Sequence, residues 1–522
     1  MIREISRRKC LRLWLCKPEY MERTKWENRF VLLRFRKKNY MMFLKDLKRF
    51  KMERLYDKLK AYSESDFYAF HMPGHKRNKA LLGIELPYDL DITEIYGFDD
   101  LHHADGILKE EQERAARVFG AEESHFLVNG STAGILSAVM GCTHRGDKIL
   151  VARHCHKSIY HAIYMNGLVP RYVYPEFDIS MHMNGEISKE DVAKALAAEP
   201  DIKAVVIVSP NYDGVVSDVK GIAEVAHSYR IPLIVDEAHG PHFGFHPAFP
   251  GRANDLGADV VINSLHKTLP SLTQTAILHI NGKIVNRRRI KKYLDMLQSS
   301  SPSYIFMASL DACVDFVDGK CENAFELYVE RLQKFREELK PLQHLQILRT
   351  EHYDISKVVI STANANITSP ELTDRLRKEY HLEMEMTGGT YVLAMTTVAD
   401  TQEGLDRLKA ALLEIDGQLE AKTAVSGSIE ISGELPRLEQ YFTPQEAADR
   451  EEDGEAEEIP WKESEGHISL EYAYLYPPGS PVIVPGERIS REAVELLCYY
   501  ETQNLQIEGI QTEGKIKVWK HE

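Results

Sequence analysis

A lysine that follows an apolar run is the residue of this chain best suited to covalent chemistry. Lys267 stands in NSLHKTLPSLTQ (263–274), just beyond an expected buried strand, with Ser264 and His266 before it. In open parallel sheets, ligands bind at the carboxyl ends of the strands. A lysine there is partly desolvated, which lowers its pKa from about 10.4 and allows the free amine to attack an aldehyde. A lone lysine is more often a surface residue, so this interpretation depends on its neighbours.

A carboxylate ends another expected strand of the same sheet. IPLIVDEAHG (231–240) places Asp236 31 residues before Lys267. Beside a pyridinium nitrogen about 4 Å away, a carboxylate would contribute on the order of 4 kcal/mol at an effective dielectric near 20, or about three pKa units. The ring nitrogen would then stay protonated, so that the ring can accept the electrons of a broken Cα bond. The alternative is a simple turn or helix cap, because strand-final Asp is common in that role.

The segment LVNGSTAGI (127–135) resembles a strand that leads into a helix. Gly130, Ser131 and Thr132 would offer backbone N–H groups and two hydroxyls at the helix N-terminus, which is a favourable place for a phosphate. The alternative is an ordinary N-cap. No Walker loop or GxGxxG fingerprint occurs in the chain.

A histidine cluster follows the next expected strand, in RHCHKS (153–158). His156 could stack on an aromatic cofactor ring, whereas His154 and Cys155 suggest a metal more weakly. A zinc site needs three or four ligands at recognisable spacing, and neither HExxH nor paired CxxC is present. We therefore predict no metal. Isolated histidines are usually structural, so His156 also depends on its neighbours.

The elements that must position these residues form an alternating pattern. Short apolar runs such as AVVIVSP (204–210) and ADVVINSLHK (258–267) alternate with amphipathic helical stretches from about residue 125. Near-continuous Val and Ile runs separated by helices indicate a parallel sheet that is covered on both faces. After about residue 309, charged helices and the expected strands KVVIST (357–362) and TYVLAMTT (390–397) indicate a smaller α+β domain.

These patterns predict five regions. They are a basic N-terminal extension (1–51), disordered or a mis-annotated start; a large α/β domain with an N-terminal arm (52–315); a small α+β domain (316–416); an acidic linker (417–466); and a C-terminal segment that completes the small domain (467–522).

Charge and cysteine content exclude several classes of protein. Residues 1–51 hold 17 basic and 5 acidic side chains, a net +12, whereas the remaining 48 basic and 74 acidic side chains give −26. The acidic body opposes the alternative of a nucleic-acid-binding protein led by the basic segment, so we expect no nucleic-acid partner. No apolar stretch reaches the roughly 18 to 20 residues of a membrane span. Seven cysteines without paired spacing indicate reduced thiols, so we expect a cytoplasmic protein.

With these motifs in order, the chain resembles the ornithine/lysine/arginine decarboxylase family of fold-type-I pyridoxal-phosphate enzymes, in its shorter bacterial form. The similarity spans about 420 residues and rests on these segments: FHMPGHK (70–76), DITEIYGFDDLHHADGILKEEQ (91–112), LVNGSTAGI, RHCHKS, VDEAHGPHFGFHP (235–247), SLHKTLPSLTQ and YPPGSPVIVPGE (476–487). The resemblance implies an aminotransferase-like large domain, pyridoxal 5'-phosphate as cofactor, and at least a homodimer.

The resemblance also implies residue roles. Lys267 would bind the cofactor as a Schiff base, Asp236 would face the pyridine nitrogen, and His156 would stack on the ring. The remaining implied contacts are Ser131, Thr132, Ser264 and His266 with the phosphate, Ala238 with the ring face, His239 with the phenolic oxygen, and Glu471 with the distal cation of the substrate. FHMPGHK is left without a role.

The implied reaction is decarboxylation of arginine, lysine or ornithine to the amine and CO2, within polyamine metabolism, and we take arginine as the first choice by analogy with shorter bacterial members. One alternative is an aminotransferase or lyase on the same fold, but TLPSLTQ after Lys267 lacks the arginine that aminotransferases commonly carry there. Another is a non-catalytic regulator, which would be expected to have lost Lys267 or Asp236.

Overall fold

The computed structural model describes residues 54–81, 83–178, 183–348, 352–421, 435–475, 479–502 and 505–520. The chain divides into two units, residues 1–53 and 54–522, and the description that follows concerns the second. The extension predicted over residues 1–51 lies outside the described residues. Within the described ranges, no helix is long and apolar enough to cross a bilayer.

A seven-stranded sheet forms the centre of the large domain. Its strands follow the order β1-β9-β8-β7-β6-β2-β3, and only β9 runs antiparallel to its neighbours. The strands as far as β9, with the separate β4–β5 ribbon, are β1 Glu123–Leu127, β2 Lys148–Ala152, β3 Val169–Val173, β4 Phe177–Asp178, β5 Met183–Asn184, β6 Val205–Val208, β7 Leu233–Asp236, β8 Val260–Asn263 and β9 Ala276–Ile280. Every residue of β6, β7 and β8 is buried, as expected for a sheet covered on both faces.

Helices cover both faces of this sheet. They are α1 Leu55–Ser63, α2 Ile107–Val118, α3 Gly130–Cys142, α4 Lys157–Met165, α5 Lys189–Ala198, α6 Val219–Ser228, α7 Leu265–Thr268, α8 Arg287–Leu297 and α9 Tyr304–Val317. One apolar cluster joins the strands to α3, α4, α5, α6 and α8. A second apolar cluster joins α1, α2 and α9 to the small domain that follows α9. The N-terminal arm and the small domain therefore share a core.

The small domain consists of an antiparallel sheet and three helices. Its elements are α10 Glu322–Glu338, β10 Gln346–Ile347, β11 Lys357–Ser361, α11 Ser369–Tyr380, β12 Met386–Thr387, β13 Tyr391–Met395 and α12 Gln402–Asp416. The strand order is β10-β11-β13-β12. The two strands expected from KVVIST and TYVLAMTT are therefore present, as adjacent strands of one sheet.

The C-terminal region folds from short strands and two helices. Its elements are β14 Glu439–Gln440, α13 Pro444–Glu452, β15 Ala456–Pro460, a 3-10 turn Trp461–Glu463, β16 Ala473–Leu475, β17 Pro481–Ile483, β18 Glu487–Arg488, α14 Arg491–Thr502, β19 Ile507–Glu508 and β20 Lys515–Trp519. These strands form three small antiparallel sheets.

Part of this region was expected to be a solvated acidic linker. Within residues 417–466, the described segment from 435 onward instead contains folded elements. A capping box of Thr443 and Glu446 begins α13, and β15 pairs with β20 from the other end of the region. The acidic run 449–458 thus lies at the end of α13 and in the half-exposed strand β15. Its sequence has little apolar periodicity, but pairing with β20 stabilises β15. The predicted domain boundaries themselves stay predictions.

Candidate active site

A cavity of about 620 Å³ opens at the carboxyl ends of the central strands. It brings together nine of the ten residues that the sequence singled out: Ser131, Thr132, His156, Asp236, Ala238, His239, Ser264, His266 and Lys267. The small domain contributes Glu385 and Met395 to the wall, and the C-terminal region contributes Ser480. The cavity therefore lies where three parts of the chain meet.

Lys267 lies in the short helix α7, four residues after the last residue of β8. Its Nζ is 2.8 Å from Nε2 of His239. Burial lowers the pKa of the Lys267 amine, and the nearby carboxylates of Asp236 and Glu385 act in the opposite direction. Because a lower pKa increases the fraction of free amine, this lysine is a nucleophile suited to an aldehyde.

Asp236 is the last residue of β7, the strand adjacent to β8. Its Oδ1 accepts a hydrogen bond of 3.1 Å from the Ala238 N–H, which orients the carboxylate at the cavity wall. Burial raises the pKa of Asp236, whereas Lys267 and the Ala238 N–H lower it. A cationic ring nitrogen at this carboxylate would offset the unfavourable burial of its charge.

Hydroxyls and a helix N-terminus line another side of the cavity. Gly130 begins α3 with φ +72°, a left-handed conformation that favours glycine. No side chain caps this helix. The Ser131 and Ser264 hydroxyls are hydrogen-bonded to each other across the gap between α3 and β8. These donors, with the positive end of the helix dipole, are suited to a phosphate.

Burial lowers the pKa of three histidines of the cavity wall, which favours their neutral forms. Burial lowers the pKa of His156 to about 4, with a smaller contribution from Lys267, and its Nδ1 accepts a 3.2 Å hydrogen bond from the Ser158 N–H. Burial also lowers the pKa of His154 to about 4 and that of His266. A neutral imidazole such as His156 can stack on an aromatic ring without repelling a cation. Among the described residues, no cluster of metal-ligating side chains occurs.

Glu471 is the one predicted site residue that does not line this cavity within a single chain. It lies buried in the C-terminal region, where Oε2 accepts a hydrogen bond of 3.0 Å from the Lys517 N–H and Oε1 one of 3.3 Å from the Gln511 N–H. The chain thus satisfies this carboxylate internally. Its implied contact with the distal cation of the substrate stays a prediction.

Several residues of the cavity wall were not predicted from the sequence. Asp213 and Glu385 add two carboxylates to the wall. Burial raises the pKa of Asp213 to about 6, although the Tyr391 hydroxyl donates to it at 2.6 Å. Tyr212 donates its hydroxyl proton to Glu385. These residues lie on connections and on the small domain, and no local motif marks them in the sequence.

Comparison with known proteins agrees with this architecture. Models of the Orn/Lys/Arg decarboxylase major domain and C-terminal domain match residues 53–421 and 433–514. The arginine decarboxylase of Bacillus subtilis is 33% identical over 471 residues, which cover 87% of this chain and 95% of the relative. The lysine decarboxylase LdcA of Pseudomonas aeruginosa is 25% identical, covering 83% and 73%.

The fold is also similar to a solved structure. The constitutive lysine decarboxylase of Escherichia coli superposes with a TM-score of 0.76 at 20% identity, covering 95% of this chain and 85% of that one. Fold and comparisons together define a fold-type-I pyridoxal-phosphate enzyme. The chain belongs to the Orn/Lys/Arg decarboxylase family, and the resemblance found in its sequence is confirmed.

The donor set of the cavity fits pyridoxal phosphate, the cofactor of this family. A lysine amine and a buried carboxylate lie at one edge of the sheet, and the hydroxyls of Ser131 and Ser264 lie beside the N-terminus of α3. Within the described part of the chain, Nδ1 of His154 is buried in the same wall and has no hydrogen-bond partner. Amine, carboxylate and phosphate-binding groups are therefore all present.

Proposed function

We propose that this protein is a cytoplasmic arginine decarboxylase that converts arginine to agmatine and CO2, a reaction that supplies polyamine metabolism. The observation that carries the proposal is the placement of Asp236 at the end of β7 and of Lys267 just beyond the adjacent strand β8, with both residues lining one cavity. Arginine is favoured over lysine because the relative named arginine decarboxylase is similar over 95% of its length.

Each predicted residue has a role in this proposal. Lys267 holds the cofactor through Nζ, Asp236 keeps its ring nitrogen protonated, and His156 stacks on the ring. Ala238 packs on the ring face and His239 lies near the phenolic oxygen, while Ser131, Thr132, Ser264 and His266 bind the phosphate. When bound, the cofactor supplies an electron sink for the pair left behind by the departing carboxylate.

The substrate's positive end requires a carboxylate partner in the cavity. Asp213 and Glu385 both face the cavity, and Tyr212 orients Glu385 through its hydroxyl. A guanidinium is planar and binds carboxylates in pairs of parallel hydrogen bonds. These two residues are therefore our candidates for the distal group of the substrate, together with the Glu471 contact implied by family resemblance.

We further propose that the protein acts as a homodimer. Its N-terminal arm exposes large apolar side chains: Phe67, Tyr68, Phe70, Met72 and Tyr96 are each more than 60% exposed. Exposed apolar residues concentrated in one segment indicate an interaction surface. A second copy of the chain would cover them.

Product analysis tests the proposed reaction. Purified protein with pyridoxal phosphate is incubated separately with arginine, lysine and ornithine, and the products are identified by mass spectrometry. We expect agmatine from arginine and no product from a Lys267→Ala variant. Cadaverine or putrescine as the main product would replace the substrate assignment, and no amine from any of the three would refute the proposal.

A further inference from the structure

A second lysine lies buried behind the cavity, on the sheet of the small domain. Lys357 is the first residue of β11, and its side chain is fully buried. Its Nζ is 2.8 Å from Nδ1 of His239. Nε2 of the same ring is 2.8 Å from Nζ of Lys267. One buried imidazole thus connects the cavity lysine to a second amine from another domain.

The surroundings of Lys357 hold it in this position. Gly214 has φ +105°, and a Cβ atom there would come within 2.7 Å of Cγ of Lys357. The backbone oxygen of Lys357 accepts hydrogen bonds from the Tyr353 hydroxyl at 2.6 Å and from Nη2 of Arg336 at 2.7 Å. The ring of Tyr212 lies 4.6 Å from that of His239, centroid to centroid. The contact between lysine and imidazole is therefore part of a packed interface.

The positions of the protons on Lys267, His239 and Lys357 depend on one another. Burial, with Lys267 and Lys357 next in effect, lowers the pKa of His239 far below its usual value, so the ring is neutral and has one N–H and one lone pair. An ammonium group only donates, whereas a free amine can accept. If Nδ1 accepts from a Lys357 ammonium, Nε2–H donates to a free Lys267 amine; the other tautomer has the reverse arrangement. Two ammonium groups would leave one of them facing an N–H.

Charged neighbours determine which arrangement is favoured. The pKa of Lys357 is lowered to about 8: burial lowers it most, Lys267 also lowers it, and the carboxylates of Asp354, Glu385 and Asp213 oppose this shift. The titratable groups that face the two lysines are Asp213, Asp236, Asp354, Glu385, His156, His239, His266 and Tyr212. Three of the four carboxylates act on Lys357, which favours the arrangement with the charge on Lys357 and a free amine on Lys267.

We propose that Lys357 is a positioning residue that, through His239, keeps Lys267 as a free amine and exchanges one proton with it. In this exchange a proton passes from Nζ of Lys357 to Nδ1 while the Nε2 proton passes to Nζ of Lys267. The total charge is unchanged, and the reverse transfer restores the first tautomer. Lys267 is thereby uncharged when it must attack an aldehyde. The inference rests on the proposed function of Lys267 as the cofactor lysine.

Cofactor uptake as a function of pH tests this inference without turnover. The full-length protein is freed of cofactor, and attachment of pyridoxal phosphate is followed by visible absorbance. Reduction with borohydride and peptide mass spectrometry then confirm Lys267 as the modified residue. Lys357→Gln removes the charge but keeps a donor for Nδ1. Lys409→Met is the matched control, because Lys409 lies elsewhere in the same domain, where it pairs with Glu338 on α10 and with Asp406 on its own helix α12.

We expect the midpoint of the uptake profile to rise by about one pH unit or more in Lys357→Gln, because loss of a neighbouring positive charge raises the pKa of Lys267. Uptake at neutral pH then falls about tenfold for each unit. Lys409→Met should retain the wild-type profile. An unmoved or lowered midpoint in a folded Lys357→Gln variant would overturn the inference.

Two other outcomes, an unfolded variant and a wild-type protein that does not attach the cofactor, are also informative. If thermal unfolding shows that Lys357→Gln is not folded, Lys357→Met, which keeps the apolar stem in its buried position, replaces it with the same expected shift. If the wild-type protein fails to attach the cofactor at Lys267, the proposed function fails. Normal attachment with an unmoved profile refutes only the role of Lys357.

Discussion

At the scale of single residues, burial determines the chemistry of this site. Lys267 and Asp236 are ordinary residue types, but Asp236 is buried at the end of β7 and Lys267 is largely buried in the short helix α7 that follows β8. Burial disfavours the charged form of both, so that a free amine and a carboxylate in need of a cation face one cavity. The amine and the carboxylate lie close together because the strands that precede them are adjacent in the sheet.

Replacing Asp236 tests the charge that it contributes. Asp236→Asn keeps an oxygen for the Ala238 N–H but loses the negative charge. A carboxylate about 4 Å from the ring nitrogen raises the pKa of that nitrogen by about three units. We therefore expect kcat to fall about a thousandfold, while the cofactor still attaches to Lys267. Rates of amine release and visible absorbance measure the two effects. Asp201→Asn, an exposed change beside Lys148, is the control; an unaltered kcat in Asp236→Asn would contradict the assignment.

The neighbouring Glu237 should make stability depend on pH. Burial raises its pKa to about 8. Because this value lies above the unfolded-state pKa of about 4.3, its contribution to stability is complete below about pH 4.3 and is lost as the pH rises to about 8, by up to about 1.4 kcal/mol per unit. Glu237→Gln removes that dependence, so its free energy of unfolding should increase relative to wild type from about pH 5 to about pH 8.

Urea unfolding at both ends of this pH range measures the difference. Glu403→Gln, at an exposed position of α12, serves as the control and should show a constant difference. A constant difference for Glu237→Gln as well would mean that this carboxyl titrates normally in the folded protein.

At the scale of elements, a buried ion pair fastens the C-terminal region to the large domain. Arg153, which follows β2, donates to both oxygens of Glu487 at 2.8 Å, and Nη2 also donates to the Val482 oxygen at 2.9 Å. Both charged side chains are almost completely buried. Burial raises the pKa of Glu487, and the guanidinium opposes this effect. The pair therefore satisfies charges that water cannot reach.

Breaking one side of this pair should destabilise the protein. Arg153→Met leaves the Glu487 carboxylate buried without its partner, and we expect the free energy of unfolding to fall by about 3–5 kcal/mol. The double variant Arg153→Met/Glu487→Gln should recover part of this loss. Urea denaturation gives the values. Arg491→Met, which breaks an exposed pair with Glu495, should cost far less, because water screens an exposed ion pair. Equal losses for the buried and exposed pairs would contradict this account.

At the scale of the whole molecule, the exposed apolar side chains of the arm predict association. The rings of Tyr68 and Phe70 contact each other in a tilted arrangement, 4.8 Å between centroids, while 70% and 90% of their surfaces are exposed. Tyr68→Ser/Phe70→Ser should convert a dimer to a monomer in sedimentation experiments and lower the activity. Leu413→Ser, an exposed apolar change on α12, is the control. A double variant that stays dimeric would direct the search for the interface to another surface.

Much of this protein can be determined from its sequence. Val and Ile runs of four or five residues that alternate with helical stretches specify a covered parallel sheet, because such runs are stable only when both faces are buried. Lys267, Asp236 and His156 follow these runs directly, so strand polarity alone directs them to one edge. Family resemblance then gave the cofactor and reaction class, which the comparisons confirm.

Tertiary structure decided the features that depend on distant parts of the chain. In the sequence, Lys357 is simply a lysine at the start of an expected strand. Only its packing against Gly214 and His239 shows that its side chain is buried close to Lys267. Likewise, β15 is stabilised by β20, which follows it by more than 50 residues. Local patterns report which face of an element is apolar, but burial of a charge and pairing of late strands depend on contacts between residues that are far apart in sequence.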